Sequence, residues 1–298
     1  MYTGKDGGKQ NTMGYFKGWY FKCCTKGETI AFIPSFQRSN RQKTASLQII
    51  TDHEVYNLPF DSLEYSEKPL SVKIGNCVFG EKGILLNIQE KDLNLTGELR
   101  FGSATPLRYD IMGPFALVPF MQCKHRVFSM THSLEGHLTL NGREYDFTDG
   151  TGYTEGDRGF SFPKHYIWTQ CSFEKESLML SVADIPILKF HFTGIIGFVF
   201  IDGKEYRIAT YLGAKVKKMD RNTVTVRQGK YEFTASLLEK NALPLWAPVN
   251  GNMCRTIHES ASCKAYYRFS CENSVLREFV SDQAGFEFEF FKEEQPKN

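Results

Sequence analysis

RVFSMTHSLEGHLTLNGREYDFTDG, Arg126 to Gly150, is the stretch whose reading decides the fold. Asn141-Gly142 separates two runs of alternating polar and apolar residues. Both central residues of a type I′ turn need positive φ, which Asn and Gly tolerate best, so the stretch reads as a β-hairpin. The logic repeats at Asp202-Gly203, which joins KFHFTGIIGFVFI to KEYRIATYL and sets Phe190, Phe192, Ile196, Phe198 and Phe200 on one face. NTVTVRQ and KYEFTASLL form a third hairpin around Gly229.

Upstream, GYFKGWYFK, TIAFIPSFQ, TASLQIIT, LSVKIGNCVFG, GILLNIQ and LNLTGELRFG are short, β-branched or aromatic, and bounded by turn residues. Downstream, SCKAYYRFSC and GFEFEFF continue the pattern, the last with Phe286, Phe288 and Phe290 expected inward and Glu287 and Glu289 outward. Leu243 to Asn252, with two prolines, reads as a long loop, and residues 1 to 12 as a frayed terminus. Successive hairpins favour up-and-down barrels, which remove exposed edges by closure and can hold one apolar ligand at about eight strands. The expected fold is all-β, two tandem lipocalin-like antiparallel barrels. The broken apolar run IMGPFALVPFMQ, Ile111 to Gln122, reads as their connection, giving domains over 12–120 and 121–291.

The composition excludes several classes. Thirty-six basic and 34 acidic side chains nearly cancel over 298 residues, so overall charge offers nothing for nucleic acid or an anionic membrane. No apolar stretch is long enough for a spanning helix and no secretory leader is evident, which implies a soluble, cytoplasmic protein with at most a transient membrane-surface contact. The eight cysteines include no C-x-x-C pair and are expected as free thiols without a zinc site. Twenty-five phenylalanines and 14 tyrosines instead suggest aromatic cores or an apolar cavity.

Chemistry concentrates in TGYTEGDRGFSFPKHYIWTQ, Thr151 to Gln170. In extended chain Tyr153, Glu155 and Asp157 share one face, with the two carboxylates about 7 Å apart. Tyr166, Trp168 and Gln170 share a face in the strand-like run after Pro163. Burial among aromatics and a like charge nearby would raise one carboxyl pKa, leaving an acid beside an ionised partner. The plainer reading is a turn in which Asp157 caps backbone N–H groups and Arg158 pairs with it.

GYFKGWYFK, EGDRGFSFPKHYIWTQ and GNMCRTIHES (Gly251 to Ser260), in that order, resemble the tocopherol cyclase family, whose wider relatives include carotenoid hydratases. The family's central motif reads EGDWG; here Arg158 stands in place of the tryptophan. The resemblance implies two lipocalin-like domains and a cofactor-free reaction of the isomerase class, an intramolecular lyase. A carbon–carbon double bond of a prenylated hydroquinone is protonated and the phenol oxygen traps the cation. On that basis Glu155 and Asp157 are candidate acids, Tyr153 lines the site and His132 serves as relay or base. Trp19, Arg158, Tyr166, Trp168 and Gln170 would bind substrate, the aromatics through their π faces. Core packing is the plainer role for each aromatic, and backbone satisfaction for Gln170. Cys123, His125, His132 and His137 do not make a metal set, because His132 and His137 face opposite ways along one strand. No cofactor and no metal are expected, and the partner is an apolar small molecule. The alternative is a non-catalytic carrier or sensor of an apolar lipid. Dinucleotide, P-loop and serine-hydrolase readings fail because their motifs do not occur.

Overall fold

The computed structural model describes residues 14–39, 42–119, 121–187 and 190–290. The expected frayed segment over residues 1–12 lies outside them. The chain begins with β1 (Tyr15–Thr25), β2 (Glu28–Ser39), β3 (Gln42–Thr51), β4 (Val55–Phe60) and β5 (Glu64–Glu67). It continues through β6 (Leu70–Ile74), β7 (Cys77–Gly80), β8 (Gly83–Glu90) and β9 (Leu93–Phe101). After a crossover carrying a short 3-10 helix (Gly113–Leu117) come β10 (Cys123–Leu140), β11 (Arg143–Asp146) and β12 (Gly150–Gly159). These make one antiparallel sheet, ordered β4-β3-β2-β1-β12-β10-β9-β8-β7-β6-β5, with β11 beside β10. The second sheet uses β13 (Tyr166–Phe173), β14 (Glu176–Ile187), β15 (Phe190–Ile201), β16 (Lys204–Ala209), β17 (Lys215–Met219) and β18 (Thr223–Gln228). β19 (Tyr231–Glu239), β20 (Leu243–Val249), β21 (Asn252–Cys271) and β22 (Ser274–Phe288) complete it, in the order β16-β15-β14-β13-β22-β21-β19-β18-β17, with β20 on β21.

The deciding hairpin forms as expected, with Asn141 at φ 50° and Gly142 at φ 83°, and Asp202-Gly203 matches it at 50° and 69°. Both sheets curl. Strands six places apart in a flat sheet would lie almost 30 Å apart at about 4.8 Å per strand. Yet Phe32 of β2 meets Phe79 of β7 at 5.8 Å between ring centres. In the second sheet Tyr206 of β16 likewise meets Tyr231 of β19 at 5.6 Å. Each curl encloses its own apolar core, one around Trp19, Phe21, Phe32 and Phe79, the other around Ile167, Phe233, Tyr267 and Phe286.

Three expectations are corrected. The sheets divide between Gly159 and Tyr166 rather than near residue 120, because β10 to β12 pair with β1 and β9. Ile111 to Gln122 therefore lies in a crossover within the first sheet, and it packs on the second through Phe115 against Phe192 at 5.7 Å. Leu243 to Val249 is an edge strand on β21, whose prolines an edge position accommodates.

A third apolar cluster binds the two barrels through their outer faces, with Tyr20, Val127 and Tyr153 from the first meeting Trp168, Phe198 and Ile257 from the second. Glu287 and Glu289, expected outward, point away from their own barrel and are buried here, at 8% and 1% exposure. No helix of the described residues is long and apolar enough to cross a membrane.

Candidate active site

An aromatic cavity lies between the barrels, beside the apolar cores of the two interiors, and a second hollow of about 660 Å³ opens on the first barrel against Leu70, Phe101, Phe128 and His132. The cavity between the barrels carries the motif acids. It holds about 160 Å³ and is walled by aromatic and aliphatic groups such as Phe16, Phe162, Trp168, Ile196 and Leu245. Met112, Phe115 and Met121 from the crossover complete the wall. Four carboxylates reach this junction: Glu155 and Asp157 from β12, Glu259 from β21 and Glu287 from β22.

Glu155 sits under a set of donors. Its Oε2 accepts hydrogen bonds from Tyr153 Oη at 2.5 Å and, from across the junction, from Trp168 Nε1 at 3.3 Å. His125, opposite Asp157 on β10, lies between both acids of the motif. Its Nδ1 is 3.0 Å from Asp157 Oδ1 and its Nε2 3.1 Å from Glu155 Oε2. The second contact is off the N–H axis, so charge attraction rather than an aligned hydrogen bond holds it. Burial opposes an imidazolium here, but the Glu155 and then the Asp157 carboxylates outweigh it and hold the His125 pKa well above the ordinary value. Cys123 Sγ adds a weaker hydrogen bond to Asp157 at 3.3 Å.

The proton-holding groups are elsewhere. Tyr20 Oη donates to Glu259 Oε1 at 2.7 Å, and Tyr166 Oη donates to Glu287 Oε2. Burial pushes the Glu259 carboxyl up to about 7 against the lowering effect of Tyr20 and Lys22. Burial, then the neighbouring Glu259, drives Glu287 well above the carboxylate range. Lys22 is a fully buried cation whose Nζ donates to the Gln283 carbonyl at 2.8 Å.

Of the residues singled out by sequence, Glu155, Asp157, Tyr153, Tyr166 and Trp168 come together at the junction. Trp19 points into the first barrel's core, although its strand borders the cavity. Gln170 is fully buried on the face of Trp168 but does not line the cavity, and its amide donates to Ser172 at 3.0 Å. His132 pairs with Gly152, an even position of β12, and so lies on the face opposite Glu155. Burial lowers its pKa to about 4, and its Nδ1 meets Ser129 Oγ at 3.0 Å. Arg158 is on that opposite face too and is exposed. His125, Glu259, Glu287 and Tyr20 were missed as functional residues. Glu259 lies inside GNMCRTIHES, a signal that was present but not used, whereas nothing local marks Glu287.

His125, Glu155 and Asp157 have ligand-type atoms within 4.8 Å of one another. Both ring nitrogens, however, face carboxylate oxygens, which is the arrangement of an imidazolium held between two anions.

No family model and no curated protein matches the sequence. Solved structures do. CghA, solved with Sch210972, superposes with a TM-score of 0.58 at 11% identity, over 93% of this chain and 88% of that one. Kievitone hydratase from Nectria haematococca gives 0.54 at 10%, over 93% and 89%. An AttH candidate from Nitrosomonas europaea gives 0.51 at 10%, over 94% and 93%. The chain shares their fold. The expected all-β architecture of two lipocalin-like units is thereby shown, and at these identities the likeness extends to the fold alone. None of these findings singles out tocopherol cyclase.

Proposed function

We propose that the protein is an acid-catalysed, cofactor-free cyclase or hydratase of an apolar alkene, with a prenylated hydroquinone or related isoprenoid as the substrate class. The observation that carries this reading is a pair of buried carboxyl groups, Glu259 and Glu287, driven toward their protonated forms at the wall of an aromatic cavity. A double bond needs a strong acid in a dry site, and a neutral carboxylic acid among apolar walls supplies one.

Glu287 donates its proton to the less substituted alkene carbon, leaving a tertiary cation and a carboxylate. The carboxyl groups of Glu155 and Asp157 and the faces of Trp168 and Tyr166 stabilise that cation. A phenol oxygen, or water in a hydratase, then attacks it, and the released proton returns to Glu287. The donor assignment thus moves from the motif acids to the second sheet, and the motif acids become the electrostatic wall. That one fold neighbour is a kievitone hydratase agrees with the reaction class.

The test is turnover of an added prenylated hydroquinone by wild type, Glu287→Gln, Glu259→Gln and Glu155→Gln. Glu287→Gln is expected to lose at least 100-fold in kcat while still binding substrate. Full turnover in all three variants would sink the mechanism. Binding without conversion by the wild type would favour the carrier reading.

A further inference from the structure

Arg158 lies on the opposite face of β12 from the carboxylates, and what surrounds it there is unusual. It pairs directly with Lys17 on β1 and with Lys124 on β10, so three cations occupy one rung across three adjacent strands. Like charges directly opposite one another destabilise a sheet. Arg126, two residues along β10, adds a fourth cation to the same cleft of about 70 Å³.

The cleft's carboxylates offset this row only in part, through Glu67, which pairs with Lys17 and acts on Arg158 at longer range. Glu67 is shared by Lys17 and Arg126, the latter at 2.9 Å. Asp110 accepts the Met112 N–H at 2.8 Å, and Asp157 is turned to His125 and Cys123. Lys124 reaches only the Ala116 carbonyl, at 2.7 Å, and among the described residues neither it nor Arg158 has a carboxylate partner. Two cations face each other across a rung with hydrogen-bonding capacity unused.

We infer that this cleft is a binding site for a compact oxyanion, a phosphate group held by Arg158 and Lys124. A guanidinium fork beside an ammonium is suited to that geometry, and the bound charge would relieve the repulsion along the rung. The same chemistry serves free phosphate or the headgroup of an amphiphilic phosphate ester. The cleft borders the cavity between the barrels, sharing Met112, His125 and Asp157 with its walls, but Arg158 is on the other face of β12 and its role does not depend on the reaction assigned to the cavity.

Calorimetric titration in low-salt chloride buffer with inorganic phosphate, and separately with dodecyl phosphate below its micelle concentration, tests the inference. Saturable binding to wild type is expected, weakened at least tenfold in both Arg158→Gln and Lys124→Gln and unchanged in Lys215→Gln, a cation of the second sheet. Saturation by inorganic phosphate identifies a free-anion site, and saturation by dodecyl phosphate alone identifies a headgroup site. Thermal unfolding provides a second reading. In phosphate-free buffer Arg158→Gln should melt above wild type, because a repulsion has gone, and added phosphate should raise the wild-type Tm but not the variant's. Absence of saturable binding by either probe, or equal binding by wild type and both variants, overturns the inference.

Discussion

At the scale of single residues, the site runs on tyrosines that set carboxyl acidity. Tyr20 and Tyr166 each donate to a carboxyl held high by burial, and each hydrogen bond favours the ionised form and so pulls the pKa down. Tyr20→Phe removes that pull from Glu259 and leaves desolvation unopposed by it, so the carboxyl should titrate above its present value of about 7. Infrared titration of the protonated carboxyl band, with Glu259→Gln to assign it, checks the direction. A shift downward would mean that the tyrosine hydroxyl had been holding the neutral form. Tyr166→Phe carries the matching expectation for turnover: a weaker acid at Glu287, a lower plateau in kcat, and an alkaline limb displaced to higher pH.

At the scale of elements, β20 shows how an edge is closed without another strand. Its Trp246 is covered on the side away from β21 by the Gln48 side chain, which accepts from Trp246 N–H at 2.8 Å and donates to its carbonyl at 3.0 Å. Gln48→Leu leaves both backbone groups of the half-exposed Trp246 without this partner and should cost about 2 kcal/mol, the low end for two groups that cost on the order of 1 to 3 kcal/mol each when buried and unmade. The expected readout is a lower urea midpoint at unchanged slope, and an unchanged midpoint would mean that water replaces the amide. The prolines of this strand read as loop, but what makes it a strand is its hairpin with β21 across Asn250-Gly251, at φ 48° and 77°. The other hairpins were read from the same kind of signal. Asn141-Gly142 and Asp202-Gly203 encode their turns locally, in residues that tolerate positive φ. Alternation on β22 correctly separated Phe286 from Glu287, but it does not say whether the second face meets water or another sheet.

At the scale of the whole molecule, that ambiguity is what hid the site. Two curled sheets were readable from hairpin succession, but their docking through outer faces was not, so acidic positions that looked solvated became the interior of a junction. There four carboxyl groups, Glu155, Asp157, Glu259 and Glu287, line one cavity with His125, and the buried Lys22 acts on Glu259 from beside it. The two carboxyls pushed up are Glu259 and Glu287. Stability must then depend on pH. Between the ordinary carboxyl value of 4.5 and about 7, the folded chain keeps a proton on Glu259 that the unfolded chain has released, so stability falls as pH rises through that window. Glu287 extends the decline to higher pH. His125 acts in the same direction: its elevated pKa contributes stability that is complete below 6.5 and lost as pH climbs through the folded value. His132 opposes them, since its pKa near 4 makes acidification below 6.5 destabilising. Thermal unfolding from pH 4.5 to 9 should therefore show a shallow decline up to pH 6.5, where His132 offsets part of the loss from Glu259 and Glu287, and a steeper decline above it, where His125 joins them. In Glu259→Gln the contribution from 4.5 to 7 disappears, so the variant's Tm should gain on wild type across that interval and run parallel to it above. A Tm difference constant from pH 4.5 to 7 would mean that Glu259 does not keep its proton in the folded chain across that interval.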